Sequence, residues 1–375
     1  MPVSSTKLEV PLGFAGKRIL VTGHTGFKGS WLCEWLLGLG AEVHGIALDP
    51  QDDQPLFDQL KLSPRLTSDH RIDLRDRAAI REAIQAIRPD FIFHLAAQPL
   101  VRLSYDIPVD TFAVNALGTA HLLDALREFT EPCVVICVTT DKCYENKEWL
   151  YGYREVDAMG GYDPYSASKG CAELVIASYR RSFFGSEHSV TVASARAGNV
   201  IGGGDWALDR IVPDCFRALE RGEPIQVRNK TATRPWQHVL EPLSGYLNLA
   251  LTLAAGPELE LRHPLTAGMN FGPTLASNRT VAQLVEALLQ HAPGSWEDQS
   301  DPMARHEASK LNLAIDKAFH LLGWQPVWNF SDTISHTASW YTDQAKGQNA
   351  SQLCQIQIAE YTAAARVAEV PWANS

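Results

Sequence analysis

The sequence predicts an α/β fold, a doubly wound parallel sheet carrying a smaller C-terminal α/β lobe, and three observations predict it. From residue 17 short apolar runs alternate with stretches of helical periodicity, the pattern of a parallel sheet covered by helices on both faces. A glycine-rich turn joins the first apolar run to the first helical stretch, and after about residue 196 the rhythm breaks up. A chain of 375 residues has room for one large or two coupled domains.

Arg18–Thr22 (RILVT) is the first expected strand. The turn GHTGFKG follows, and then Trp31, Leu32, Trp35, Leu36 and Leu39 recur with the spacing of one apolar helix face. Gly38 and Gly40 stop that helix, and residues 41–48 read as a second strand ending at Asp49. Residues 91–96 and Cys133–Thr140 read as buried strands, with helices over Arg77–Ile87 and residues 111–129 between them; residues 190–195 form a further strand. A helix is expected over 209–221, and residues 344–375 give only a weak helical pattern. The expected division is a mainly cofactor-binding part over 1–195, a mainly substrate-binding lobe over 196–345 with the chain crossing back, and a helical tail over 346–375.

Composition narrows the function. Hydrophobic residues at 45% and charged residues at 20% exclude a mainly disordered chain. A net charge of −10 gives no bulk attraction for nucleic acid or an anionic membrane, so an anionic ligand must find local cations. The seven cysteines contain no CxxC pair and the histidines no ligand spacing, so neither disulfides nor a metal are expected. With no run of about 18 apolar residues and no apolar leader at its start, the chain is expected in the cytoplasm.

Gly23, Gly26 and Gly29 form GxxGxxG directly between a strand and a helix. That context makes a dinucleotide site: one glycine turns tightly, one admits the pyrophosphate, one lets helix pack on strand. Lys28, a cation in the first helical turn, opposes the helix dipole unless an anion sits there, and so reads as a phosphate partner. Asp49, 20 residues beyond Gly29, can accept from a ribose 2′-hydroxyl and repels a 2′-phosphate, which favours NAD over NADP. Asp73 in RIDLRD is placed to reach the adenine edge.

Tyr165 and Lys169 in YSASK lie four apart on one helix face, after a strand ending in Thr139 and Thr140. An ammonium beside a phenol favours phenolate, which makes Tyr165 a usable base. Asp141 and Lys142 follow Thr140 directly. Trp236 and His238 in RPWQH read as packing residues.

VTGHTGFKG, HLAAQ, TTDKCYEN, YSASKG and ARAGNVIGGGDW together resemble the extended short-chain dehydrogenase/reductases and, more narrowly, the nucleotide-sugar 4,6-dehydratases, over about residues 16–340. The resemblance implies a Rossmann-type domain with a substrate lobe and a catalytic set of Thr140, Tyr165 and Lys169, supported by Asn115. It implies NAD held by Gly23, His24, Gly26, Phe27, Lys28, Gly29, Asp49, Asp73, Leu74, Ala96, Ala97, Gln98, Asn115, Tyr165 and Lys169. Asn199, Arg210, Arg234 and Arg305 are the implied substrate contacts, the last two on the pyrophosphate.

The implied reaction oxidises a hexose at C4, removes water across C5 and C6 and reduces C6. The implied substrate is CDP-glucose, on a route to cell-surface polysaccharide. In dTDP-glucose relatives the pair after the threonine is Asp-Glu, whereas here it is Asp141-Lys142. The resemblance implies Asp141 as a proton donor, with a loop cap as the alternative, and Lys142 as a base or an ion partner that orients Asp141, while Tyr144 and Glu145 stand close enough to substitute. The resemblance also implies a homodimer joined through the helices over 111–129 and 164–184, with Leu117, Leu122, Leu123 and Leu126 suiting either that face or packing on the sheet. Two rival readings are a nucleotide-sugar 4-epimerase, which needs no dehydrating acid/base pair, and a non-catalytic NAD(P)-sensing protein on the same fold.

Overall fold

The computed structural model describes residues 13–256, 264–300 and 310–373. Seven parallel strands form its central sheet: β1 (Arg18–Thr22), β2 (Glu42–Ala47), β3 (Ser68–Arg71), β4 (Phe91–His94), β5 (Cys133–Thr140), β6 (Val190–Ala197) and β7 (Met269–Phe271). Their order is β7-β6-β5-β4-β1-β2-β3. The direction of winding reverses between β1 and β4, and open sheets bind ligands at the carboxyl ends of such a pair.

Side-chain alternation builds two cores from one sheet. Ile19, Val21, Phe91, Phe93, Val134 and Ile136 point to one layer. Leu20, Ile92, Cys133, Val135 and Cys137 point to the other. Because both faces are covered, the strands read as continuous apolar runs rather than alternating ones. Each such side chain contributes about 1.5–3 kcal/mol by leaving water.

The second layer holds α2 (Arg77–Ile87), α3 (Gly118–Ala125) and α4 (Pro164–Ser182). Asp76 caps α2 through Ala79 N at 3.0 Å, and Asp163 caps α4 through Ser166 N at 2.9 Å. The helix expected over 111–129 is composite: an α turn at Pro108–Phe112, a π stretch at Ala113–Leu117 and then α3. The widened turn contains Asn115, and helical periodicity carries no sign of it. Leu122, Leu123 and Leu126 are fully buried on the sheet, which removes them from any subunit face; Leu117 is 57% exposed, and Val109 and Leu174 are exposed too.

The first layer holds α1 (Phe27–Gly38), α5 (Ile211–Arg221), α6 (Leu240–Ala254), α7 (Phe330–Ala345) and α8 (Ala350–Val367). One apolar face was expected on α1, yet nearly the whole helix is buried, Glu34 included. The reason is α8. Trp35 packs edge-on against Tyr361 and Trp372, and Glu34 accepts from Arg65, Ser351 and Gln355. The weakly patterned segment after residue 344 therefore forms the outer wall of α1.

Smaller pairings build the rest. Thr233–Pro235 runs antiparallel to Asn278–Thr280, and Ile225–Val227 runs parallel to Trp296–Asp298. Trp236 and His238 are buried; His238 meets Trp31 and Trp328 edge-on, as packing residues do.

Candidate active site

The turn after β1 shows why its glycines are glycines. Gly23 has φ +74° and its backbone lies against the chain leaving β4, where a Cβ would stand 2.7 Å from Ala96 N. A Cβ on Gly29 would sit 2.1 Å from Gly23 O, so that residue lets α1 close onto the turn. Gly26 differs, with nothing nearer than 3.5 Å to its added Cβ. It caps α1 without a side-chain bond, and no acidic residue stands in the first turn. A helix start of that kind suits a pyrophosphate, and the residues present fit a dinucleotide.

The expected cofactor residues divide by where their side chains go. The His24 ring turns inward to Asp69 at 2.8 Å, with burial pushing its pKa down, so only its main chain lies along the turn. Phe27 is buried in the first-layer core, and Leu74 is buried beneath Gly118. β4 ends at His94, two residues earlier than expected, because Thr22 pulls the chain aside: its hydroxyl bonds His94 Nδ1 at 2.7 Å and accepts from Ala96 N at 3.2 Å. Ala97 and Gln98 continue that loop. Asn115 fastens it, accepting from Gln98 N at 2.8 Å and donating to Gln98 O at 3.1 Å and Ser168 Oγ at 2.9 Å.

Asp49 lies at the end of β2 with a 79% exposed side chain, and Arg71 Nε holds it at 2.9 Å. A guanidinium beside the carboxylate expected to accept from a 2′-hydroxyl softens the expected rejection of a 2′-phosphate. Asp73 is bonded by Arg75, which keeps its carboxyl below the usual range.

Lys28 departs furthest from expectation. Its side chain is half-buried, with Nζ 3.4 Å from Tyr246 Oη, and its charged neighbours are Arg210, Lys169 and Asp141. It belongs to the pocket of the Tyr/Lys pair. Burial first, then Arg210 and Lys169, bring its pKa down to about 7.

At the ends of β5 and β6 the remaining expected residues converge. Tyr165 and Lys169 share one face of α4 and are buried. Thr140 neighbours the Tyr165 phenol and donates to Asp141 Oδ1 at 2.9 Å. Asp141 is 2% exposed, and burial raises its carboxyl pKa against the pull of Lys142, the Thr140 bond and Arg234. Gly198 makes room for it, since a Cβ there would stand 2.8 Å from Asp141 Oδ2; Asn199 is the next residue.

The expected lowering of the Tyr165 pKa is absent from this pocket. Burial pushes the phenol up to about 12, with Thr140 and Arg210 opposing and Asp141 adding to it. Burial likewise brings Lys169 down to about 8, so its help as an ammonium is itself limited by desolvation.

Arg210 reaches the same pocket and is bonded to Asp205 at 2.8 Å. Arg234 lies on the strand opposite Arg279, near enough to Asp141 to stabilise its charge. Arg305 lies outside the described residues. Tyr144 and Glu145 do not substitute for Asp141 or Lys142. Tyr144 Oη accepts from Arg196 at 2.7 Å and donates to Asn270 at 2.8 Å, while Glu145 pairs with Lys147 at 2.9 Å. Sequence reasoning missed Tyr246, Arg196 and Glu173. For Glu173 a signal existed: an acid one helical turn after Lys169 in a helix whose same face is buried. Among the described residues no cluster of His, Cys, Asp or Glu could hold a metal, and no helix is long and apolar enough to cross a membrane.

Sheet order, glycine turn and the Thr140/Tyr165/Lys169 cluster define the class: an extended short-chain dehydrogenase/reductase. The profile of the GDP-mannose 4,6 dehydratase family matches residues 20–337, and the chain belongs to that family. It is 44% identical to CDP-glucose 4,6-dehydratase of Salmonella typhimurium, over 93% of this chain and 97% of the relative. UDP-glucose 4-epimerase of Mycoplasma pneumoniae is 25% identical over 87% of this chain and 97% of its own. Among solved structures, UDP-glucose 4-epimerase of Thermus thermophilus in complex with NAD superposes with TM-score 0.72 at 24% identity, covering 87% of this chain and 99% of that one.

Proposed function

We propose that this protein is a hydro-lyase that converts CDP-glucose to CDP-4-dehydro-6-deoxyglucose with NAD as cofactor. The 44% identity to a CDP-glucose 4,6-dehydratase carries the substrate. The observation that carries dehydration over epimerisation is Asp141, a buried carboxyl with a raised pKa that accepts from Thr140 beside Tyr165. The Gly26 turn would hold NAD, which would supply hydride acceptance from sugar C4 and hydride return at C6.

The chain's own residues handle protons and charge. Tyr165, beside Thr140, takes the proton of the C4 hydroxyl as its phenolate, the form that Arg210 and the Lys169 ammonium one helical turn away stabilise. Asp141 stays protonated to higher pH than an ordinary aspartate and gives its proton to the departing C6 hydroxyl. Lys142 orients Asp141 by charge or takes the C5 proton. Arg210 and Arg234 hold the substrate from the lobe side, and Asn199 borders the sugar.

We further infer a cytoplasmic enzyme in which residues 1–195 mainly bind cofactor and 196–345 mainly bind substrate, paired as a homodimer. Val109, Leu117 and Leu174, exposed on the helices around Asn115 and Tyr165, support that pairing. The family resemblance supports a place on a route to cell-surface O-antigen polysaccharide.

The test is incubation with NAD in D₂O with CDP-glucose and, separately, dTDP-, UDP- and GDP-sugars, followed by mass spectrometry and NMR. Loss of one water with deuterium at C5, from CDP-glucose in preference to the others, is the expected result. A product of unchanged mass inverted at C4 would make the protein an epimerase, and no reaction with any sugar would favour a sensing role.

A further inference from the structure

Behind the Tyr165/Lys169 pair lies a second, fully buried charge pair with no part in the reaction described above. Glu173 is 4% exposed and stands one helical turn beyond Lys169 on α4. Both of its carboxylate oxygens are engaged. One accepts from Thr139, the residue before Thr140; the other accepts from Ser194 Oγ at 2.8 Å and from Arg196 Nη2 at 2.8 Å. Arg196 also donates to Tyr144 Oη at 2.7 Å and to Glu155 O at 3.2 Å, so the pair ties α4, β5, β6 and the segment after Asp141 together.

We propose that Glu173 is a positioning residue for the hydride-transfer site, holding the Lys169 side chain in its charged form and fixing the Thr139-Thr140 strand end against Tyr165. The proposal rests on the reading of Lys169 as part of the reaction machinery. An ammonium in a closed pocket needs a nearby anion, and Glu173 is the carboxylate that opposes desolvation most strongly there. The other titratable groups about Lys169 do not serve: Cys137 and Cys143 are thiols that burial keeps protonated, His94 is a neutral ring bonded to Thr22 and Thr119, and Lys28, brought down to about 7, is a cation or a neutral amine and never an anion. Tyr165 carries no charge until it gives up its own proton. Thr139 and Arg196 keep Glu173 ionised: burial alone pushes its carboxyl up, and Arg196 with the hydroxyl bonds more than reverses this.

The sign of the effect follows. Lys169 titrates at about 8, so a step that needs its ammonium fails as pH rises through that value, and removing Glu173 moves the failure to lower pH. The experiment is the pH profile of kcat/KM for CDP-glucose in the wild type, Glu173→Gln and Glu173→Asp, beside NMR titration of lysines labelled at Cε in the NAD-bound protein. For Glu173→Gln we expect an alkaline limb about one pH unit lower, hence activity at pH 8 about fourfold further below that at pH 6.5, and an equal shift of the Lys169 resonance. Glu173→Asp keeps the charge and should restore most of the limb. If Glu173→Gln alone does not fold, the double variant Glu173→Gln, Arg196→Gln removes both buried charges and should show the same shift. A profile lowered at every pH with its limb unmoved, or an unmoved Lys169 titration, overturns the proposal. The NMR arm needs no sugar, so it stands even if CDP-glucose is not turned over.

Discussion

Two clusters of charge sit along the carboxyl edge of one sheet and behave oppositely. At the β2–β3 end, Asp49, Arg71, Asp73 and Arg75 pair across the surface with side chains between 27% and 79% exposed. Past β5, Asp141, Tyr165 and Lys169 are less than 9% exposed, and each has its protonation shifted by burial before any neighbour is counted. The residue types are similar and the solvent differs. Exposed pairs anchor a ligand's outline and are screened by water, whereas buried groups acquire the shifted acidities that proton transfer at neutral pH requires.

That contrast breaks or stands on graded substitutions. Tyr165→Phe removes one hydroxyl from the buried cluster and should lower turnover by about 10³-fold while leaving thermal unfolding within a few degrees of wild type. An active Tyr165→Phe enzyme would put the base elsewhere. Asp141→Asn should slow water loss by about 10²-fold, while near-ultraviolet absorbance still reports cofactor reduction on mixing with CDP-glucose. Because the Asp141 carboxyl is raised, wild-type dehydration should decline as pH climbs through its folded value, and this decline should vanish in the asparagine variant.

At the exposed end effects should shrink. Asp49→Asn leaves Arg71 held by Asp69 and should move the ratio of NAD to NADP affinity by about tenfold toward NADP, read by titration, with unfolding unchanged. Arg75→Ala should cost less than about 0.5 kcal/mol in denaturant unfolding, its lasting trace being the return of Asp73 to an ordinary carboxylate pKa. A large loss of stability there would erase the distinction between the two clusters.

The sheet was legible wherever one periodicity ruled. The ranges of β1, β5 and α2 match their sequence patterns residue for residue, because strands buried on both faces read as apolar runs and a half-buried helix reads as a stripe. The π turn around Asn115 was not, since it comes from tertiary bonds to Gln98 and Ser168 rather than from local preference. Lys28 shows the same limit inside the site. Its place in the first turn suggests a phosphate, yet a four-carbon stem can carry the ammonium past the turn, and only the packing of Tyr246 fixes where it ends. Leu117 and Leu122 look alike in sequence, and the sheet decides which is covered.

The clasp of α8 on α1 reaches into how the molecule is made. The two helices that meet at Glu34, Ser351 and Gln355 are separated by more than 300 residues of chain. At about 5–20 residues per second, a ribosome holds α1 without its outer wall for tens of seconds. Trp35 and the buried face around it then have no partner, and a nascent chain in that interval is exposed to chaperones and to premature association. Full cofactor affinity should accordingly be acquired late, when the last helix leaves the exit tunnel, rather than when the glycine turn first emerges.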